Sequence, residues 1–445
     1  MSILERTGLF ETAATPRVGA SAPAASRAAL IDLALFWLCV AIVLMFSQGW
    51  VMALTGPGPG DVDPAVSAQA RNLFYPVYAA VIGLAALRPW ALGAAVLRTP
   101  TLSLLVLIAV LSVSWSIDPD TTSRRAVSIV VTTLAGIMLA VRYPWPRMVE
   151  VLAAAFLVLA AASFFLGALV PVYGRMIVDF PGAWRGVWGH KNLLGYNMSI
   201  GFMLFSAAAI ARPQRRWLWL GGAAAAFVLI LLSTSKTSLL SCVIGAACIG
   251  LVALARRGPL GAIAASYLGL SAVVGLGFMY YADPDALFGL LGKNASFTGR
   301  TSIWSAVMHQ IAKRPWTGYG YGAVWDNKSI WSPLPQISKE QGFTIHEAHN
   351  TWLQLWLELG YLGLGAWALL FLDIWARTLH AMFKRPVAYF ALPFFAVFSL
   401  HTLTESVALM QNDLMWVILS AVAVKLSLPE AEAKPQTFDA AMIPA

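Results

Sequence analysis

The chain is 445 residues long, 59% hydrophobic and 11% charged, with a mean hydropathy of +0.71. So little polar surface excludes a soluble globular fold of this size. The formal charge of +9 is spread over short loops, which argues against nucleic acid as a partner, and Cys39, Cys242 and Cys248 all fall in apolar runs, which gives no disulfide framework.

In chain order, residues 1–29 are rich in Ala, Ser, Thr and Pro and carry no cleavable signal pattern, so they are expected to form a disordered cytoplasmic tail. Apolar runs of a length that crosses a bilayer as helices follow at about 30–47, 73–90, 101–116, 126–142, 149–171, 192–211, 216–233, 237–255, 259–281, 350–376, 387–405 and 413–428. The expectation is an all-α polytopic membrane domain over 30–428, with about 12 transmembrane helices and a second disordered tail at 429–445. With the N-terminus inside, 17 Lys and Arg fall in cytoplasmic segments, against 7 in outer segments other than the long loop 282–349. The positive-inside rule then puts both termini in the cytoplasm and that loop outside. No internal repeat suggests the inverted halves of a transporter.

Cations that persist on the outer side need a reason. Arg185 and Lys191 lie in Trp184-Arg185-Gly186-Val187-Trp188-Gly189-His190-Lys191-Asn192, where the positive end of the following helix points at the same place. That pattern suits a phosphate, although an interfacial pair snorkelling beside lipid headgroups fits the same residues. Lys236 caps the short turn Ser233-Thr234-Ser235-Lys236-Thr237. Farther on, Arg300 opens a segment in which Ile303, Val307 and Ile311 recur every four residues until Pro315. The spacing predicts an amphipathic helix lying along the membrane surface, with Arg300 either at an anion site or merely solvated.

His346-Glu347-Ala348-His349-Asn350 closes the loop. Its two histidines stand at i and i+3 with no third ligand in sequence, so no metal site is expected. His349 with Asn350 as a neighbour suits a general base, or an interfacial histidine hydrogen-bonded to the loop. Glu358 sits about two turns into the next span, and His401 and Glu405 share a helix face. Ionisable groups at such depths usually face a cavity or a partner.

At these residues the chain resembles the O-antigen ligase and Wzy-type polymerase superfamily, and within it ExoQ-like exopolysaccharide polymerases. The motifs that carry the resemblance are Trp184–Asn192, Ser233–Leu239, Gly299–Gly322 and His349–Gly360, in that order. It implies a GT-C-like glycosyltransferase at the periplasmic face of the bacterial inner membrane, with no metal and no cofactor. The donor would be an undecaprenyl-pyrophosphate-linked glycan. The acceptor would be another lipid-linked repeat for a polymerase, or lipid A core for a ligase. Membrane lipid and a chain-length regulator are further implied partners. Carried over by motif, Arg185, Lys191 and Arg300 would grip the pyrophosphate and His349 would activate the acceptor. Glu405 is the competing base, with His190, Asn192, Asn350 and Glu358 in support. One departure stands out: the motif at 235–237 often reads Ser-Arg-Thr, and Lys236 keeps the charge but lacks the bidentate fork.

Three rival classes come into question, of which a scaffold for an envelope assembly complex is argued against by Glu358 within a span and by the clustered cations. A lipid-linked-sugar flippase explains many spans but leaves the long outer loop without a task. A GT-C enzyme with an acidic base at Asp61 or Asp63 would lean on a metal and a long soluble domain, and neither is evident.

Overall fold

A computed structural model describes residues 22–56, 64–282, 300–325, 329–341 and 345–428. Among the described residues the chain is helical, apart from loops and one isolated bridge between Arg175 and Trp184. Asp61 and Asp63, Thr298-Gly299 and most of both expected tails lie outside the described residues. The first helix, Ala22–Phe46, begins inside the segment expected to be a tail, where alanines favour helix.

Every expected span falls on a helix. Eight helices are long and apolar enough to cross a membrane by length and composition, and Ala68–Ala86 with Pro89–Arg98, bent by 95°, makes a ninth if the pair is one span. Pro100–Trp115, Ala388–Thr402 and Leu414–Ser427 coincide with the other three but hold only 10–17 residues, against the roughly 20 that a bilayer requires. The first and last of these helices open on favourable signals. Pro100 stands in the first turn, where its missing N–H costs nothing, and Asp413 caps Leu414–Ser427 by accepting from Trp416 N–H.

The two ends of the helix bundle differ in charge chemistry. At one end Glu150, 2% exposed, pairs with Arg147 at 3.0 Å, Arg215 at 2.8 Å and Arg212 at 3.5 Å. Arg385 donates to the carbonyls of Lys425, Leu426 and Leu428, and Arg88 to those of Val141 and Arg142, so cations cap helix C-termini there. The opposite ends of the same helices carry Arg125, Lys191 and Asp413 and lie beside the long loop.

The described part of that loop is folded. Helix Arg300–Ile311 presents Ile303, Val307 and Ile311 to a small core with Tyr319, Ile337, Ile345 and Leu357. The apolar stripe therefore faces the loop's own core instead of the membrane surface, a correction to the expected interfacial helix. Four-residue spacing reports a buried face but not what buries it.

Helix Thr351–Lys384 breaks at Gly360, whose φ is 64°. The break frees backbone groups that the segment after Pro315 takes up: Tyr319 N–H donates to Leu357 O at 3.1 Å, Gly320 N–H to Glu358 O at 2.8 Å, and Tyr361 N–H to Pro315 O at 2.9 Å. So close an approach requires glycine. Gly318 and Gly320 have φ of 67° and 101°, and a Cβ on them would stand 2.5 Å from the Glu358 backbone and 2.7 Å from Ser116 Cα. The Thr-Gly-Tyr-Gly-Tyr-Gly run and the start of the tenth span are thus one structural unit. Gly320→Ala is expected to lower stability by about 1–3 kcal/mol, read as a lower melting temperature in detergent. An unchanged melting temperature would show that this docking contributes nothing.

Candidate active site

Loop and bundle meet at a group of four ionisable side chains. Arg300 reaches from the first turn of its helix to the turn after Ala388–Thr402, donating to Thr404 O and to Glu405 Oε1, the latter at 2.7 Å. The other carboxylate oxygen of Glu405 lies 3.2 Å from His349 Nδ1, and Glu347 Oε1 lies 3.0 Å from the same nitrogen. The order is Arg300, Glu405, His349, Glu347, with charges alternating in sign when the imidazole is protonated. Such charge-assisted contacts are stronger than neutral ones.

His349 is held here by its backbone. Its φ of 49° is left-handed, uncommon for a non-glycine residue and frequent where structure serves a site. Asn350, expected to orient it, is the N-cap of Thr351–Lys384: its Oδ1 accepts from Trp352 N–H and Leu353 N–H, and its Nδ2 donates to Leu403 O. The two glutamates orient the imidazole instead. Their hydrogen bonds, Glu347 first and Glu405 second, push its pKa up to about 9 against the opposing effect of burial. Burial pushes Glu405 upward too, but His349 and Arg300 outweigh it and hold the carboxyl below its usual range.

A cavity of about 560 Å³ opens on this group, lined among others by His190, Asn192, Ser235, Thr237, Arg300, Glu347, His349, Glu405 and Asp413. The N-termini of Lys191–Ala211, Lys236–Ala255 and Leu414–Ser427 all contribute to its wall. Three positive helix ends and Arg300 give part of its wall the character of an anion site, beside the carboxylates of Glu347, Glu405 and Asp413. His190 caps the first of these helices, its Nδ1 accepting from Asn192 N–H at 3.2 Å. Burial, and then the adjacent Lys191 cation, lower its pKa, so it sits there neutral.

The expected cations divide. Arg300 lines the cavity, whereas Arg185 and Lys191 do not and are engaged elsewhere. Arg185 is 6% exposed and donates to the carbonyls of Tyr173 and Val172 at 2.8 and 2.9 Å. Lys191 Nζ donates to Thr234 Oγ1 at 3.1 Å and stands 4.1 Å from the centroid of the Phe180 ring. Both tie the Trp184–Asn192 loop to its surroundings, and it is the loop that presents His190 and Asn192. Lys236 is exposed at the start of its helix, while its neighbours Ser235 and Thr237 line the cavity. Glu358 lies outside this cavity, 2% exposed, and accepts from Gly322 N–H at 2.9 Å and Trp325 Nε1–H at 2.8 Å. His401 lines the cavity below Glu405, its ring 4.1 Å from that of Tyr196.

Glu347 was not singled out in the sequence, although its place two residues before His349 in an extended segment was the available signal. Together Glu347, His349 and Glu405 bring three possible ligand atoms within 4.8 Å of one another. The sequence argument against a metal, the want of a third ligand, therefore does not hold. A divalent ion there would have to displace the proton on His349 and share Glu405 with the Arg300 cation.

Residues 221–368 match the family model described as O-antigen ligase. Over 220 residues the chain is 31% identical to the exopolysaccharide production protein ExoQ of Rhizobium meliloti (strain 1021), covering 46% of this chain and 49% of that protein. The chain thus spans about half the length of the curated relative it matches. These matches support the resemblance read from the motifs. The family segment includes Lys236, Arg300, Glu347, His349 and Glu358; Glu405 lies beyond it and is brought in by the fold.

In the purified protein, His349 is expected to titrate near pH 9, and Glu347→Gln to lower that value by removing the leading cause of the shift. Histidine-selective NMR on labelled protein reads both, and an imidazole titrating near 6.5 in the wild type would mean that the glutamates do not hold it.

Proposed function

We propose that this chain, similar over part of its length to O-antigen ligases and to ExoQ, is a glycosyltransferase that polymerises undecaprenyl-pyrophosphate-linked repeat units. On this reading the site faces the periplasm of a bacterial inner membrane and both termini are cytoplasmic. The observation that carries the reading is the chain of contacts from Arg300 through Glu405 to His349, which joins the anion-suited part of the cavity wall to a candidate base.

In this account the pyrophosphate lies beside Arg300. A guanidinium has five N–H donors, so with two engaged by Thr404 and Glu405 three remain for phosphate oxygens. The acceptor hydroxyl gives its proton to His349 Nε2, since Nδ1–H is held by the two glutamates. The acceptor oxygen bonds to the anomeric carbon as the bond from that carbon to the pyrophosphate oxygen breaks. The departing electron pair stays on the phosphate, where Arg300 and the helix N-termini meet the charge. Proton removal by one positioned base is typically worth about 10²–10⁴-fold. Glu405, held ionised by two cations, is the poorer base and serves to orient both neighbours. Arg185 and Lys191 support the loops instead of gripping phosphate, Lys236 stands exposed beside the cavity, and His190, Asn192 and Asn350 shape the site. Membrane lipid is the medium of the reaction, and a chain-length regulator is the protein partner implied.

Ligation to lipid A core is the second reading, favoured by the description of the matching family model. It differs in the acceptor and not in the chemistry. A flippase would leave the alternating charges and the strained His349 without a task.

His349→Ala is expected to abolish polymer while lipid-linked donor still binds, because the arginine holds the donor and the histidine acts on the acceptor. Arg300→Ala is expected to weaken donor binding about tenfold or more, with Arg300→Lys partly restoring it, and exposed His309→Ala to be mild. The pH profile has a definite sign. A base whose pKa is raised to about 9 is mostly protonated at neutrality, so kcat/KM should climb with pH towards 9, and Glu347→Gln should start that climb at lower pH. Full activity in His349→Ala would transfer the base role to Glu405; near-normal polymer in both alanine variants would refute the site.

A further inference from the structure

A second cavity, of about 500 Å³, lies beside the first and shares Glu347, His349 and Met410 with it. Arg300 does not line it. Its own walls include Arg125, Tyr321, Trp325, Gln354, Glu358 and Gln411. We propose that this cavity is a subsite for the terminal sugar ring of the acceptor glycan, an uncharged ring read through its hydroxyls. The proposal rests on the glycosyl-transfer reading above and specifies what chooses its acceptor.

The walls are built for the purpose. Glu358 receives the Trp325 indole N–H on one carboxylate oxygen and the Gly322 amide on the other, which fixes the indole and the end of the glycine loop. A carboxylate has about four acceptor positions, so two remain for sugar hydroxyls. Arg125 donates to Gly322 O at 2.6 Å from the neighbouring helix, anchoring the same loop from behind. Tyr321 OH, itself deeply buried, shares its one proton between Leu409 O at 2.6 Å and Gln411 Oε1 at 3.0 Å. The Gln411 NH₂ is thereby directed as a donor. A buried carboxylate, two amides and an indole at the wall are groups that hydrogen-bond or pack against a sugar ring. Formal charges on the walls balance, Arg125 against Glu358 and His349 against Glu347, which is why an uncharged ring fits best. The volume lies within the roughly 300–1,000 Å³ of ordinary small-molecule sites.

Position decides between acceptor and donor. Arg300, the proposed holder of the leaving pyrophosphate, lines the first cavity alone, while His349 lines both. A hydroxyl entering from the second cavity would reach His349 without passing Arg300. Sites that hydrogen-bond a substrate hydroxyl discriminate strongly against an analogue lacking it, so this cavity would also select which hydroxyl is glycosylated.

The test uses the full chain in detergent, lipid-linked repeat from its native host as donor, and the same repeat on a short alkyl chain, without pyrophosphate, as acceptor. Saturation-transfer NMR should show the alkyl glycan binding to wild type, with its terminal ring in closest contact. Gln411→Ala should weaken that binding and raise its KM about tenfold, the value of one lost hydrogen bond, with donor affinity and melting temperature retained; Trp325→Phe, which also takes the indole N–H from Glu358, should weaken it as well, at a lower melting temperature but with donor affinity retained. Unaltered glycan binding in both variants, or a loss of donor affinity instead, would overturn the assignment. Glycan that binds as described but is never extended would uphold the subsite and refute the transferase reading.

Discussion

One interaction organises the loop-bearing end of this protein: the Glu405 carboxylate accepts from Arg300 on one oxygen and faces His349 on the other. Three segments far apart in sequence are joined by it, namely the first turn of Arg300–Ile311, the end of the long loop and the turn after Ala388–Thr402. Without Glu405, Arg300 and His349 would face each other as cations with nothing between. With it, a cation can stand in the wall of the first cavity while the imidazole stays oriented at the junction of both cavities. The same contact sets the chemistry, because the carboxylates that orient His349 also raise its proton affinity. Orientation thus comes with an imidazole that is largely protonated at neutral pH.

The glycine segment is the second constraint. Gly318 and Gly320 let the chain lie against a helix interrupted at Gly360, and this docking carries Tyr321, Gly322 and Trp325 to Glu358. A glutamate two turns into an apolar helix is costly unless its oxygens are satisfied. Here a backbone amide and an indole satisfy them, and both are delivered by the loop. Loop and span were separate motifs in the sequence and form a single unit in the fold.

Much of this was legible in the sequence. Apolar runs located the helices because periodicity and length are local properties. The misplaced polar residues marked the end of the bundle where the long loop packs, because bilayers penalise them. What was not legible was pairing. Arg185 and Arg300 look alike as arginines on the outer side, yet one is spent on the carbonyls of Tyr173 and Val172 and the other lines a cavity. Asn350 next to His349 read as an orienting partner, but an asparagine just before a helix is first of all an N-cap. Glu347 and Glu405 took that role, one from a strained loop and one from 56 residues away, a separation that no local pattern reveals.

The central claim is that this chain lengthens a glycan, and the most direct test removes the membrane altogether. Purified protein in detergent, supplied with lipid-linked repeat, is predicted to yield a ladder of longer lipid-linked glycans, with one undecaprenyl pyrophosphate released per linkage. Repeat units that bind but remain unlengthened, with no carrier released, would contradict the account and leave a transporter in its place.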